Sequence, residues 1–229
     1  MSEANCHIVV IAHPDDEAFM MGGTLALLSQ NAAPVYIVCM HDYSGPEVVR
    51  KSELKKSAQI LGVRDCVFFN LVSGDFGHHT YHATCSKLES TVLDIAKKHA
   101  SGNTTLITME PLGVSGHMDH MFVSMVTTCV FYTLPHICKK LMYFCKSIDQ
   151  KPTRNPDYFV YSPPGYPLDQ IDESYDILSV WDIKRKAILC HTSQIIDQYG
   201  QVDGRPLSYF NPEHFIVHEQ DHKGQNVRG

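Results

Sequence analysis

Two short segments hold the residue types that metal-assisted hydrolysis needs. The first is Ala12-His13-Pro14-Asp15-Asp16-Glu17 and the second is Ser115-Gly116-His117-Met118-Asp119-His120. In each, potential ligands stand three residues apart. On one helical turn, or a turn-like loop, that spacing aims two side chains at a common point. A catalytic zinc takes three protein ligands from histidine and carboxylate and keeps one position for water. His13, Asp16 and His120 would supply that set, and Asp15 and His117 are then left over. Hydrolysis at a metal needs two such helpers: a base that takes a proton from water, and an acid or dipole that stabilises the oxyanion. Each cluster alone has a plainer explanation. An acidic run after a strand is commonly a helix start, and a histidine pair is commonly surface or core.

Both clusters follow strand-like runs. His7 to Ala12 is apolar, β-branched and short, the pattern of a strand buried on both faces. Thr104 to Met109 precedes the second cluster in the same way, and Val35 to Met40 and Cys66 to Leu71 are further buried strands. Lys140 to Phe144 is a weaker strand, and Tyr175 to Val180 alternates like an edge strand. Helices are expected from the acidic trio to about Gln30, over Pro46 to Leu61 with Gly62 as the stop, and over Ser86 to His99. Two more are expected over Asp119 to Leu134 and Ile183 to Gln198. Loops fall at Ser73 to Thr80, Pro111 to Gly116 and the Pro-rich Lys151 to Pro167. Strands alternating with helices predict an α/β fold: a Rossmann-like, mostly parallel sheet with helices on both faces, in three layers. Ligands of such sheets sit beyond the carboxyl ends of the strands, which is where both clusters fall. No internal repeat is visible. About sixty residues beyond the Pro-rich loop are too few for a comfortable second domain, so residues 1–229 read as one.

Composition narrows the function. The net charge is −6 with histidines neutral, and no long Lys/Arg block exists, which argues against nucleic acid as the partner. Eight cysteines include no C-x-x-C pair. Several lie in apolar runs, so free buried thiols and a reducing compartment are expected. Met1 to His7 lacks the basic and apolar regions of a signal peptide. The longest apolar stretch, Ala18 to Leu28, is too short to span a bilayer. The expectation is a cytoplasmic protein without a membrane span.

The same residues resemble the PIG-L/LmbE family of N-acetylglucosamine-type deacetylases. The family's A-H-P-D-D-E then G-G-T-L is matched by Ala12 to Glu17 and Gly22 to Leu25. Its R-x-x-E then L-G-V is matched by Arg50 to Glu53 and Leu61 to Val63. G-H-x-D-H is matched by Gly116 to His120, K-x-x-A by Lys184 to Ala187, and H-x-S-Q by His191 to Gln194. The resemblance implies a hydrolase acting on a small N-acetylated sugar, with Zn2+, Fe2+ or another divalent metal held by His13, Asp16 and His120. It implies Asp15 as the general base and His117 as the oxyanion stabiliser, with Asp119 holding His117 protonated. It further implies substrate binding by Arg50 and Asp75. For Arg50 an ion pair with Glu53 is the plain alternative, for Asp75 an ordinary loop position, and for His191 and Gln194 helix packing. Glu17 is expected to orient the metal loop.

His78, His79 and His82 stand outside the motifs and read as an exposed polar loop. Two other readings of the whole chain are an amidase for a different N-acylated small molecule and a non-catalytic protein that binds a metal or ligand. A nucleotide-binding module is disfavoured, because no G-x-G-x-x-G or Walker-type loop follows the first strand. A homo-oligomer is left open by the sequence, as are the aglycone and the native metal.

Overall fold

The computed structural model describes residues 6–31, 33–42, 47–75, 77–99, 102–150, 163–194, 206–221 and 225. Its centre is the pair of segments that the sequence makes most apolar. β1 (Cys6–Ile11) and β4 (Thr104–Met109) are buried at every position, as befits strands covered on both faces. They lie parallel, with Ile8 opposite Leu106 and Val9 opposite Ile107. The hydroxyls of β4 find partners locally: Thr108 donates to the Val10 carbonyl at 2.9 Å. β2 (Val35–Asp42) and β3 (Asp65–Val72) extend the parallel sheet on one side, and β5 (Cys138–Cys145) extends it on the other. β7 (Glu213–Glu219) then pairs antiparallel with β5 and with β6 (Glu173–Tyr175). The order across the open sheet is β3-β2-β1-β4-β5-β7-β6.

Helices fall into two groups. α1 (Asp16–Phe19), α2 (Gly22–Ser29), α3 (Glu47–Ile60) and α7 (Trp181–Ile188) contact one another. α4 (His78–Lys98) and α5 (Gly113–Gly116) contact α6 (Met118–Thr133). Crossovers run outward from β1 to β2 and, in the opposite direction, from β4 to β5, and such connections are right-handed as a rule. They put the helices of the two halves on opposite faces. This is the mostly parallel α/β sheet that the alternation predicts. α4 shows why: Thr84, Cys85, Leu88, Val92, Ile95 and Ala96 are buried at helical spacing, while Ser86, Lys87, Ser90 and Asp94 face water. Gly62, at φ 78°, ends α3 as expected, and the Val63 amide closes on the Ala58 carbonyl at 2.9 Å.

Several expectations need correction. The helix expected from the acidic trio to Gln30 is two helices, α1 and α2. The second starts anew because the Glu213 carboxylate accepts the amides of Gly23 (2.9 Å) and Thr24 (2.6 Å). Gly23 is required there, since a Cβ would sit 2.4 Å from Ile177. α4 begins at His78, not near Ser86, so the His78-to-His82 stretch is helical rather than loop. Tyr81, in these extra turns, meets Phe122 of α6 edge to face, with ring centroids 6.4 Å apart. The edge strand is Glu173–Tyr175, and Leu178–Val180 is a 3-10 turn. The last helix stops at Ile188. Beyond it Glu53 takes the Ser193 amide (2.7 Å) and the Thr192 and Ser193 hydroxyls, a local competitor of helical bonding. Residues 195–198 of that expected helix, residues 151–162 of the Pro-rich loop and Pro46 lie outside the described residues. The β7 strand was not anticipated. All eight cysteines are free thiols.

Candidate metal centre

β1 and β4 are parallel neighbours, so their carboxyl ends emerge at one edge of the sheet, where the strand order reverses. The chain leaving β1 passes His13 and Asp15 into α1, and the chain leaving β4 turns through residues 110–117 into α6. Two segments about a hundred residues apart in sequence thereby meet in the crevice where such folds bind ligands. The first turn is tightly bonded. Asp16 Oδ2 accepts the amides of Ala12 (3.1 Å) and His13 (2.8 Å). Asp15 adopts φ 125°, a region that L residues rarely occupy. Such a backbone costs about 1–3 kcal/mol and persists only where its surroundings enforce it. Here the enforcement comes from Glu17, whose Oε2 accepts the Asp15 amide at 2.9 Å. Buried Glu17 also accepts from Ser57 Oγ (2.6 Å) and His191 Nε2 (2.7 Å).

The second turn is held by Glu110, which is buried. Its carboxylate accepts the amides of Leu112 (2.7 Å) and Val114 (2.6 Å). Gly113 takes φ 73°, and a Cβ there would come within 3.0 Å of His120. The Gly113 carbonyl lies 3.0 Å from His120 Nδ1. A carbonyl can only accept, so Nδ1 carries a proton and Nε2 is the nitrogen turned to the crevice. That Nε2 lies 3.3 Å from Asp16 Oδ1. The same logic applies to His13. Its Nε2 lies 2.9 Å from Asp119 Oδ2, and an ionised carboxylate only accepts. The proton therefore sits on Nε2, and Nδ1 lies 3.8 Å from Asp16 Oδ2. Donor atoms of His13, Asp16 and His120 all lie within 4.8 Å of one another. Ligand bonds of about 2.0–2.1 Å put tetrahedral neighbours about 3.3–3.4 Å apart, so the set fits a small divalent cation. A second set with the same reach, His13, His117 and Asp119, shares His13.

Burial alone would raise the Asp16 carboxyl, but His120 and then His13 outweigh it and hold it below the usual carboxylate range. Burial would lower His120, yet Asp16 holds it above the ordinary imidazole value. Binding a cation here would displace that proton. Asp15 is pushed up to about 7, by burial first and by Asp16 second, against Arg50.

Asp119 departs from expectation. It does not hold His117 protonated: Oδ2 is 4.0 Å from His117 Nδ1. Its carboxylate is taken by His13, by Ser73 Oγ and by the Gly74 amide at 3.0 Å. His117 instead caps α6, its Nδ1 accepting the Asp119 amide at 3.1 Å. Burial, His120 and His13 push it down to about 4. It is a neutral imidazole whose Nε2 carries the proton. Arg50 is buried and donates to the Pro14 carbonyl (2.6 Å) and Asp15 Oδ2 (3.1 Å), while Glu53 accepts from Thr192 and Ser193. Asp75 is exposed, one residue beyond the Gly74 bond to Asp119. His191 is buried on Glu17, whereas Gln194 is half-buried, its amide donating to the His191 carbonyl at 3.0 Å and its side chain to Ser193.

A family model for PIG-L, described as GlcNAc-PI de-N-acetylase, matches residues 8–131, more than half of the chain and both turns of this crevice. The chain belongs to the PIG-L family. The N-acetylglucosaminyl-phosphatidylinositol de-N-acetylase of Bos taurus is 28% identical over 116 residues, covering 50% of this PIG-L chain and 46% of the bovine protein. The match therefore spans less than half that relative's length. The diacetylchitobiose deacetylase of Thermococcus kodakarensis is 25% identical over 202 residues, 80% of this chain and 67% of the archaeal one. Among solved structures, the N,N'-diacetylchitobiose deacetylase of Pyrococcus horikoshii, complexed with its inhibitor, superposes with a TM-score of 0.69. It is 19% identical and covers 94% of this chain and 84% of that one, a likeness of fold.

Sequence reading of this PIG-L chain missed three contributors to the crevice. Glu110 directly follows β4, and a lone acid after a strand carries no motif. Ser73 sits in an expected loop, with nothing to show its bond to Asp119. His41, at the end of β2, lies buried with Nε2 3.9 Å from Asp119 Oδ1. Its position at a third strand end of the same sheet edge was the available signal.

Proposed function

We propose that this PIG-L chain is a metal-dependent hydrolase that removes the acetyl group from an N-acetylglucosamine-containing small molecule, releasing acetate and a free amino sugar. The observation that carries the reading is the convergence of His13 Nδ1, His120 Nε2 and Asp16, with both imidazole protons held by outside acceptors. Zn2+ suits this donor set, and Fe2+ or another divalent ion fits it as well. The cation, when bound, supplies an electrophile that acidifies water and polarises a carbonyl.

The protein's own groups do the rest. Asp15, oriented by Arg50 and its Glu17-held backbone, takes the proton from the attacking water and later returns it to the departing amine. His117 donates its Nε2 proton as a hydrogen bond to the tetrahedral oxyanion. A neutral donor serves there as a fixed dipole. Asp119 keeps His13 in the required tautomer. Arg50 and Asp75 are the candidate sugar contacts, with Arg50 also fixing Asp15.

The deciding experiment is acetate and free-amine release from a panel of N-acetylglucosamine derivatives, before and after chelation, with Zn2+ or Fe2+ added back. Release should vanish on chelation and return with metal. Absence of release with metal bound by His13, Asp16 and His120 would redirect the reading to another acyl substrate; absence of metal binding by those three would end it. A narrower test is Glu17→Gln. Removing the charge that holds Asp15, Ser57 and His191 should lower the rate by about 10- to 100-fold, the usual cost of disturbing groups that orient a site. Wild-type kcat and KM in a folded Glu17→Gln would show that the Asp15 backbone needs no such support.

A further inference from the structure

Away from the crevice residues, α4 opens with His78-His79-Thr80-Tyr81-His82. His78 and His82 stand four residues apart on this helix, so their side chains lie one above the other on a single face. Both are exposed. Their Nε2 atoms are 3.2 Å apart, and the ring centroids are 4.4 Å apart. Two imidazole nitrogens on one cation, with bonds of about 2.0–2.1 Å, stand about 2.9 Å apart at a right angle and about 3.3–3.4 Å apart in a tetrahedron. The observed separation falls between those limits. His79 does not join them: it points about 100° further round the helix, and its ring centroid is 6.3 Å from that of His78.

We propose that His78 and His82 form a second divalent-cation site, a two-imidazole clip for Zn2+, Cu2+ or Ni2+. Water completes the coordination. Imidazole is a favoured ligand for all three ions, and a helical i, i+4 pair presents both nitrogens with little rearrangement. The clip spans the first turn of α4, where helix amides have no partner from a preceding turn. The loop just before it carries Ser73 and Gly74, which hold Asp119 in the crevice. A cation on the clip would restrain the turn that adjoins this loop. The site does not depend on the proposed deacetylase reaction.

Metal-stripped full-length protein is titrated with Zn2+ and, separately, Ni2+, and the bound equivalents are counted by equilibrium dialysis with elemental analysis. Two equivalents are expected for wild type and for His79→Ala, and one for His82→Ala and for H78A/H82A. Equal stoichiometry in wild type and H78A/H82A overturns the site. If the crevice binds no metal, wild type falls to one equivalent and H78A/H82A to none, which leaves the clip standing. Amide exchange over residues 78–84 gives an independent reading. It should slow on adding Zn2+ to wild type and stay unchanged in His82→Ala; no slowing in wild type counts against the clip.

Discussion

Asp15→Asn should cut acetate release by about 100- to 10,000-fold, the usual range for losing a general base, while metal content stays at the wild-type level. Asparagine is close in shape and tolerates positive φ better than most residues, so the backbone at φ 125° should survive. Its carbonyl oxygen can still accept from Arg50, which now bonds Asp15 Oδ2 at 3.1 Å. What disappears is a carboxylate with affinity for a proton near neutrality. Burial and the neighbouring Asp16 charge raise Asp15 to about 7. A dication beside Asp16 favours the ionised form and makes that rise smaller. Asp15 is not among the three converging ligands, so a variant with normal metal and normal rate would remove it from the mechanism.

Glu213→Ala should be the most destabilising single change away from the crevice. Glu213 and Lys184 form a fully buried ion pair at 2.5 Å, each side chain about 1% exposed. Burial lowers the Lys184 pKa, and Glu213 opposes the shift. Removing one partner of such a pair costs about 3–5 kcal/mol, because an uncompensated charge stays buried. For a chain of this size that corresponds to a fall of about 6–20 °C in Tm. The loss has a second source. The Glu213 carboxylate also accepts the Gly23 and Thr24 amides, so α2 loses the acceptor at its start. Lys184 would keep the Met20 carbonyl at 3.2 Å and the Phe210 ring, its centroid 5.6 Å away. Replacing both ends together, as Lys184→Met with Glu213→Leu, should recover part of the loss, since apolar pairs of similar volume are often neutral substitutes. An unchanged Tm in Glu213→Ala would mean that the pair contributes nothing to the fold.

The contrast between these two residues marks what can be read locally. Asp15 stands in a motif beside its strand, and its chemistry is visible in five neighbouring letters. Glu213 stands in a segment where no strand was expected, and its partners are Lys184 and two amides some 190 residues earlier. Only folding brings them together.

Short-range patterns determined much of this protein. The buried strands β1 and β4 follow from uninterrupted apolar runs, the end of α3 from Gly62, and the meeting of His13, Asp16 and His120 from two polar clusters placed after parallel strands. Hydrophobic periodicity and turn chemistry act within a few residues, so they survive in the sequence. Tertiary structure decided the remainder. It gave Asp119 to His13 and the neutral form to His117. It turned Arg50 from Glu53 to Asp15, broke one expected helix at Gly22, and carried α4 back to His78. Each of these outcomes depends on a buried polar group finding its partner, and such a group takes whichever donor or acceptor the fold brings within about 3 Å. That partner's distance along the chain is unconstrained, and no local pattern records it.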